Sequence, residues 1–193
     1  MPFPKKIYRF ETVGSTNEVL KELARKGEPE GTIVVADCQT SGRGREGRVW
    51  ESPAGKNLYF SILLRPEIPA ELAPQLTVMT GRALADFLKK EIPIEVTLKW
   101  PNDVYYQGKK LGGILCESEM KVGAHHDLPL LDFVVIGIGL NVNSTLDDFS
   151  DELQKTVTSL FLITKKEFDR EKLLNHFLVS EELSKGWMDN LPV

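Results

Sequence analysis

A chain of 193 residues with 41% hydrophobic and 27% charged side chains can bury one ordinary core, which excludes a disordered, fibrous or stapled miniature protein. A formal charge of −4 with a pI near 5.5 excludes a general attraction for nucleic acid or anionic membrane, so any anion site must be local. Cys38 and Cys116 lie outside any CxxC, which argues against a disulfide framework or cysteine zinc site; with no signal-peptide core in MPFPKKIYRF and no apolar run of spanning length, a cytoplasmic protein without a membrane partner is expected.

Ile7 to Thr12 reads as a first strand. Ser15-Thr16-Asn17-Glu18 then has the pattern of a capping box, opening a helix that carries Val19, Leu20, Leu23 and Ala24 and ends at Gly27. Thr32 to Asp37 and Asn57 to Leu64 are strands, leaving Cys38 to Lys56 as a polar, glycine-rich connection; one this long is more often functional than idle. Leu76, Met79, Ala83, Leu84, Phe87 and Leu88 follow a first-turn Pro74 at helical spacing up to Pro93. Glu95 to Trp100 is a strand, and Val104 to Tyr106 with Ile114 to Glu119 form a hairpin around Gln107-Gly108. Leu130 to Ile138 is apolar enough for the centre of a sheet, helices are expected at Asp151 to Leu160 and Asp169 to Trp187, and Lys121 to Pro129 is the best candidate for disorder. Strands in hairpins as well as crossovers point to an α+β fold, a mixed sheet with helices packed on it.

The run Gly42-Arg43-Gly44-Arg45-Glu46-Gly47-Arg48 interleaves glycine with arginine. Glycines let successive amides converge, and guanidinium forks match phosphate or carboxylate oxygens two at a time, so the run suits an anion. It lacks the GK-Ser/Thr ending of a phosphate-binding P-loop and opens no Rossmann helix. A self-solvating basic loop and a nucleic-acid contact are the alternatives, and the residues by themselves support only an anion site.

Lys99-Trp100-Pro101-Asn102-Asp103 ends a strand in a proline turn, presenting an amide and a carboxylate suited to hydrated magnesium or to a proton from an incoming amine; taken alone, ordinary turn chemistry is the favoured reading. Lys110 precedes Leu111-Gly112-Gly113, where glycines permit close ligand approach, and Asn141 ends the Gly137-Ile138-Gly139-Leu140 stretch, where it can read a base or ribose; a surface hairpin with solvated lysines and glycines serving sheet packing are the alternatives. His125, His126 and His176 receive no catalytic or metal role, and no Ser/His/Asp or Cys/His pairing supports a covalent nucleophile.

Taken in order, Ser15-Thr16-Asn17, Gln39-Thr40-Ser41 with GRGREGR and Val49-Trp50, Lys99-WPND, Lys110-LGGIL and Gly137-IGLNVN resemble the catalytic core of biotin-protein ligases. Any one of these is weak; five in family order over most of the chain are not. The resemblance implies a mixed, largely antiparallel sheet like that of class II aminoacyl-tRNA synthetases. It also implies two steps: biotin and ATP, with magnesium, give biotinyl-adenylate, and a lysine of a biotin carrier domain, such as that of acetyl-CoA carboxylase, accepts the biotin. It places Ser15, Thr16, Gln39, Gly42, Arg43, Lys110, Gly113 and Leu115 on biotin, and Arg45, Arg48, Trp50, Asn102 and Asn141 on the nucleotide side. By the same resemblance Lys110 is expected to bridge carboxylate and phosphate and Arg45 to close the loop, while the chemistry of Asp103 suits it to orient the acceptor amine, receive its proton or hold magnesium through water.

Glu46 and Val49 stand where many family members carry basic residues, which makes this loop less positive. With 14 residues before Ser15 and an end at Val193, one catalytic domain over 1–193 is expected, without the family's DNA-binding domain or small carboxy-terminal β-barrel, hence no DNA partner. Family members often dimerise through the sheet edge, which allows a homodimer. The rivals are a lipoate-protein ligase, a noncatalytic biotin- or adenylate-binding module and an arginine-loop RNA binder.

Overall fold

Period-two alternation builds the sheet and decides what each face carries. In the computed structural model, which describes residues 3–121 and 130–188, the strands are β1 (Lys6–Val13), β2 (Thr32–Gln39), β3 (Leu58–Leu64), β4 (Thr97–Lys99), β5 (Asp103–Tyr106), β6 (Lys109–Met120) and β7 (Leu131–Leu140). They form one sheet in the order β1-β2-β3-β7-β6-β5-β4, with β1 and β2 parallel and every other pair antiparallel. The expected α+β class and largely antiparallel mixed sheet are found, and the apolar β7 lies at its centre.

Six α-helices are described: α1 (Thr16–Arg25), α2 (Ala73–Glu91), α3 (Asp151–Gln154), α4 (Leu160–Thr164), α5 (Arg170–Leu178) and α6 (Glu181–Met188). On one face of the sheet, Phe60, Ile62, Val134, Ile136 and Ile138 meet Leu84, Phe87 and Leu88 of α2 and Leu174 and Phe177 of α5 in the larger core. On the other, Val34, Leu63, Phe133 and Val135 meet Leu20 and Ala24 of α1. Burying one such side chain contributes about 1.5–3 kcal/mol, so the two faces together hold the sheet between its helices.

Several local expectations are corrected. Ser15 takes the N-cap position of α1 with extended backbone, but its hydroxyl accepts no capping bond, so the capping box does not form. Gly27, at φ +91°, ends that helix as expected. The strand at Glu95–Trp100 shrinks to Thr97–Lys99, the three residues that pair with β5. The helix expected over Asp151 to Leu160 is interrupted at the β-branched Thr156-Val157-Thr158, which runs beside Lys110 and exchanges backbone hydrogen bonds with it at 2.8 Å each. The last helix breaks at Val179-Ser180, where Ser180 Oγ accepts from Leu183 N at 3.2 Å and starts α6. The disorder expected for Lys121 to Pro129, and His125 and His126 with it, fall outside the described residues beyond Lys121.

Candidate active site

The site lies where the α1 face of the sheet loses its side chains. Along β7, Phe133 and Val135 fill the core under α1, but the next two residues pointing the same way are Gly137 and Gly139. A Cβ on Gly137 would lie 2.2 Å from Asn17 Oδ1, and one on Gly139 would lie 2.6 Å from the Trp50 ring. Glycine is required at both positions because another residue occupies the space. The amino-terminal turn of α1 and the loop that follows β2 close over this bare strip.

Polar contacts fix that end of α1. Gln39 Oε1 accepts from Thr16 N at 2.9 Å and Thr16 Oγ1 at 3.1 Å, while Gln39 Nε2 donates to Ser52 Oγ at 3.1 Å. Ser61 Oγ donates to Asn17 Oδ1 at 2.6 Å, and Asn17 Nδ2 donates to Leu115 O at 3.2 Å and Glu117 Oε2 at 2.8 Å. Burial pushes the Glu117 carboxyl up, but hydrogen bonds from Asn17 and Lys21 and the charges of Lys21 and Arg43 outweigh it and hold the group below the ordinary carboxylate range.

The loop is less positive than its arginines suggest. Arg43 is paired with Glu18 and Glu117, and Arg48 with Glu46 at 3.0 Å, the latter pair largely exposed. Arg45 donates instead to the neutral Asn102 Oδ1 at 3.1 Å and is paired with no carboxylate among the described residues. Three converging guanidinium charges are therefore corrected to one uncompensated charge. Glu46, the residue that least resembled the family pattern, stands in the left-handed region at φ 58° and neutralises its neighbour.

Two adjoining cavities share a wall. The first is lined by Ser15, Thr16, Gln39, Arg43, Gly113 and Leu115, and the second by Arg48, Asn141, Phe149 and Val157. Arg45, Trp50, Asn102, Asp103 and Lys110 line both. At that junction Lys110 Nζ lies 2.9 Å from Asp103 Oδ1 and 5.2 Å from the centroid of the Trp50 ring. Gly42 lines neither cavity; it packs behind the wall, where a Cβ would lie 2.4 Å from Trp50 O. His176 lies apart, on α5, 3.4 Å from Glu91.

Sequence reasoning missed Glu117, Ser52 and Ser61, and treated Asn17 only as part of a motif. Nothing local marks Glu117 or Ser61, which reach the site through strand register alone. Asn17, one residue inside a helix start and unhelpful to helix propensity, was the available signal.

Residues 10–141 match the biotin/lipoate A/B protein ligase family. Over 172 residues, 89% of this chain, the sequence is 41% identical to the bifunctional ligase/repressor BirA of Bacillus subtilis. It is 34% identical over 86% of its length to a biotin–[acetyl-CoA-carboxylase] ligase of Mycobacterium tuberculosis. The chain spans 51% and 58% of those two proteins, about half the length of the curated relatives it matches. The fold resembles the biotin protein ligase of Aquifex aeolicus in complex with biotin and ATP, with TM-score 0.75, 38% identity, and 94% of this chain and 71% of that one covered. It also resembles the Leishmania major enzyme in complex with biotinyl-5-AMP, with TM-score 0.67, 27% identity, and 98% and 84% covered. Motif order, sheet topology and these likenesses agree, and the chain belongs to the biotin/lipoate A/B protein ligase family.

Proposed function

We propose that this chain is the catalytic domain of a biotin-protein ligase that makes biotinyl-5′-AMP and transfers biotin to a lysine of a carrier domain of the acetyl-CoA carboxylase type. The observation that carries this reading is the shared wall of the two cavities. A biotin carboxylate in the first cavity and an ATP phosphate in the second would meet at Arg45 and Lys110, where positive charge offsets the approach of two anions. Ser15 fits the biotin side because its hydroxyl is not spent on capping α1. Trp50 Nε1 and Asn141 Oδ1 are buried without a hydrogen-bond partner among the described residues, one a donor and one an acceptor.

In the first step a carboxylate oxygen of biotin bonds to the α-phosphorus of ATP as the bond to pyrophosphate breaks. In the second the neutral amine of the acceptor lysine attacks the acyl carbon, AMP leaves, and the amine proton passes to Asp103. Until then the Lys110 ammonium holds that carboxylate. Among the described residues, the side-chain donors to Asp103, Lys110 and the Asn102 amide, bond the same oxygen, Oδ1, which leaves Oδ2 to face a magnesium ion or the water that holds one. Magnesium, when bound, adds positive charge to the triphosphate.

The test supplies biotin, ATP, magnesium and a biotin carrier domain, and follows pyrophosphate and labelled carrier. Biotin-dependent pyrophosphate release with carrier labelling is expected. Absence of pyrophosphate overturns the ligase reading, and turnover of lipoate in place of biotin selects the neighbouring activity of the family.

A further inference from the structure

The loop arginine that the sequence assigned to the ligand is held by protein. Arg43 Nη2 meets Glu18 Oε1 and lies 3.2 and 3.3 Å from the two oxygens of Glu117. Lys21 Nζ lies 2.7 Å from Glu18 and 3.0 Å from Glu117. The result is a box of two carboxylates and two cations with no net charge, drawn from α1, β6 and the loop. Lys21 and Glu117 are its more shielded members, with side chains 14% and 25% exposed, so their attraction is screened less than that of an ordinary surface pair.

We propose that Glu117, assisted by Glu18, is the positioning residue that latches Arg43 and thereby holds the 42–48 loop shut over the first cavity. Gly42 and Gly44 flank Arg43, and neither has a side chain with which to tie the loop to α1 or β6. The Gly44 N to Arg48 O and Trp50 N to Gly42 O bonds beside Arg43 fold the loop onto itself, and Arg45 reaches Asn102 beyond it. Among the described residues, the Arg43 anchor joins the 42–48 loop to α1 and β6 together. Asn17 shares the carboxylate, so the same group that closes the loop also fixes the wall of the cavity beneath it. The inference rests on the proposed ligand-binding role of that cavity for its effect on biotin, but not for its effect on the loop.

The experiment compares wild type with Glu117→Gln, which can still accept from Asn17 but loses both ion pairs, and with the control Glu119→Gln, whose carboxylate pairs with Arg25 away from the cavity. Backbone hydrogen exchange and limited trypsin cleavage within 42–48 are measured on the ligand-free protein, with melting temperature as the check on folding. Glu117→Gln is expected to speed cleavage in the loop about five- to tenfold while Glu119→Gln leaves it unchanged. Raising salt to 1 M should loosen the wild-type loop and have little further effect on Glu117→Gln. Where ligase activity is present, KM for biotin should rise about tenfold in Glu117→Gln with kcat within about twofold. Unchanged loop exchange in Glu117→Gln, or equal loosening by Glu119→Gln, overturns the latch. A loosened loop in a protein that releases no pyrophosphate supports the latch and removes only the ligase reading.

Discussion

Asn17 can reach the sheet only because position 137 has no side chain. Gly137→Ala would set a methyl carbon 2.2 Å from Asn17 Oδ1, in backbone geometry that cannot swing aside. Asn17 would have to release Ser61 or Glu117, and crowding of this kind costs about 1–3 kcal/mol. Titration with biotin and thermal melting should show affinity falling about tenfold or more with a modest drop in melting temperature; unaltered biotin affinity would contradict the site's placement on this strip. Arg45 tests the other side of the loop. Arg45→Gly removes the uncompensated cation and its Asn102 contact, and labelling of bystander lysines by escaped biotinyl-adenylate is expected; carrier selectivity as strict as in wild type would count against a closing role. At this scale the sequence was legible for charge and poorly legible for charge balance. GRGREGR declares its arginines within seven letters, whereas the carboxylates that neutralise Arg43 come from α1 and from a strand 74 residues away. Glu46 was in plain view, and its pairing with Arg48 depends on a left-handed turn that composition does not announce.

Elements with a clear period were legible, and those held by a neighbour's backbone were not. The strands β2, β3 and β7 and the long helix α2 each carry an apolar repeat that only one conformation can bury, so their existence followed from the letters. Thr156-Val157-Thr158 has no such repeat of its own. It is extended because Lys110 offers a backbone donor and acceptor on the edge of β6, and Asn141 Nδ2 holds Thr158 O at 3.0 Å. This strap ties the residue at the cavity junction to the end of β7, and Ser159 secures it: Oγ donates to Ser144 O at 2.5 Å and accepts from Leu162 N at 3.1 Å, capping α4. Ser159→Ala is expected to cost about 1–2 kcal/mol, the loss of a cap together with a stranded buried carbonyl. Urea unfolding reads that number directly. Because the strap also positions Lys110, pyrophosphate release should slow in the same variant, and a stability loss without any change in rate would separate the strap from the chemistry.

For the whole molecule, carboxylates away from the site clip helices to the sheet and to one another. Glu119 joins β6 to Arg25 of α1, Glu182 joins α6 to Lys90 of α2, and Glu28 joins the segment after α1 to Lys6 and Tyr8 of β1. Hydrogen bonds from these partners hold Glu28, Glu119 and Glu182 below the ordinary carboxylate range, as the Asn17 and Lys21 contacts do for Glu117. A carboxyl whose pKa is lower in the folded chain than in the unfolded one adds stability that is fully present above the unfolded value, about 4.3, and is lost as pH falls through the folded value. Stability should therefore be level across neutral pH, begin to fall near pH 4.5, and fall further as each clip is protonated. Replacing Glu119 and Glu182 together by Gln removes two of these groups from the titration. The double variant should melt lower than wild type at pH 7, and the gap should narrow steadily between about pH 4.5 and pH 3. Melting curves across that range decide the matter. A constant gap would mean that the two carboxylates act through shape rather than charge, and a wild-type decline that is already steep between pH 7 and 6 would assign the acid sensitivity to a different group.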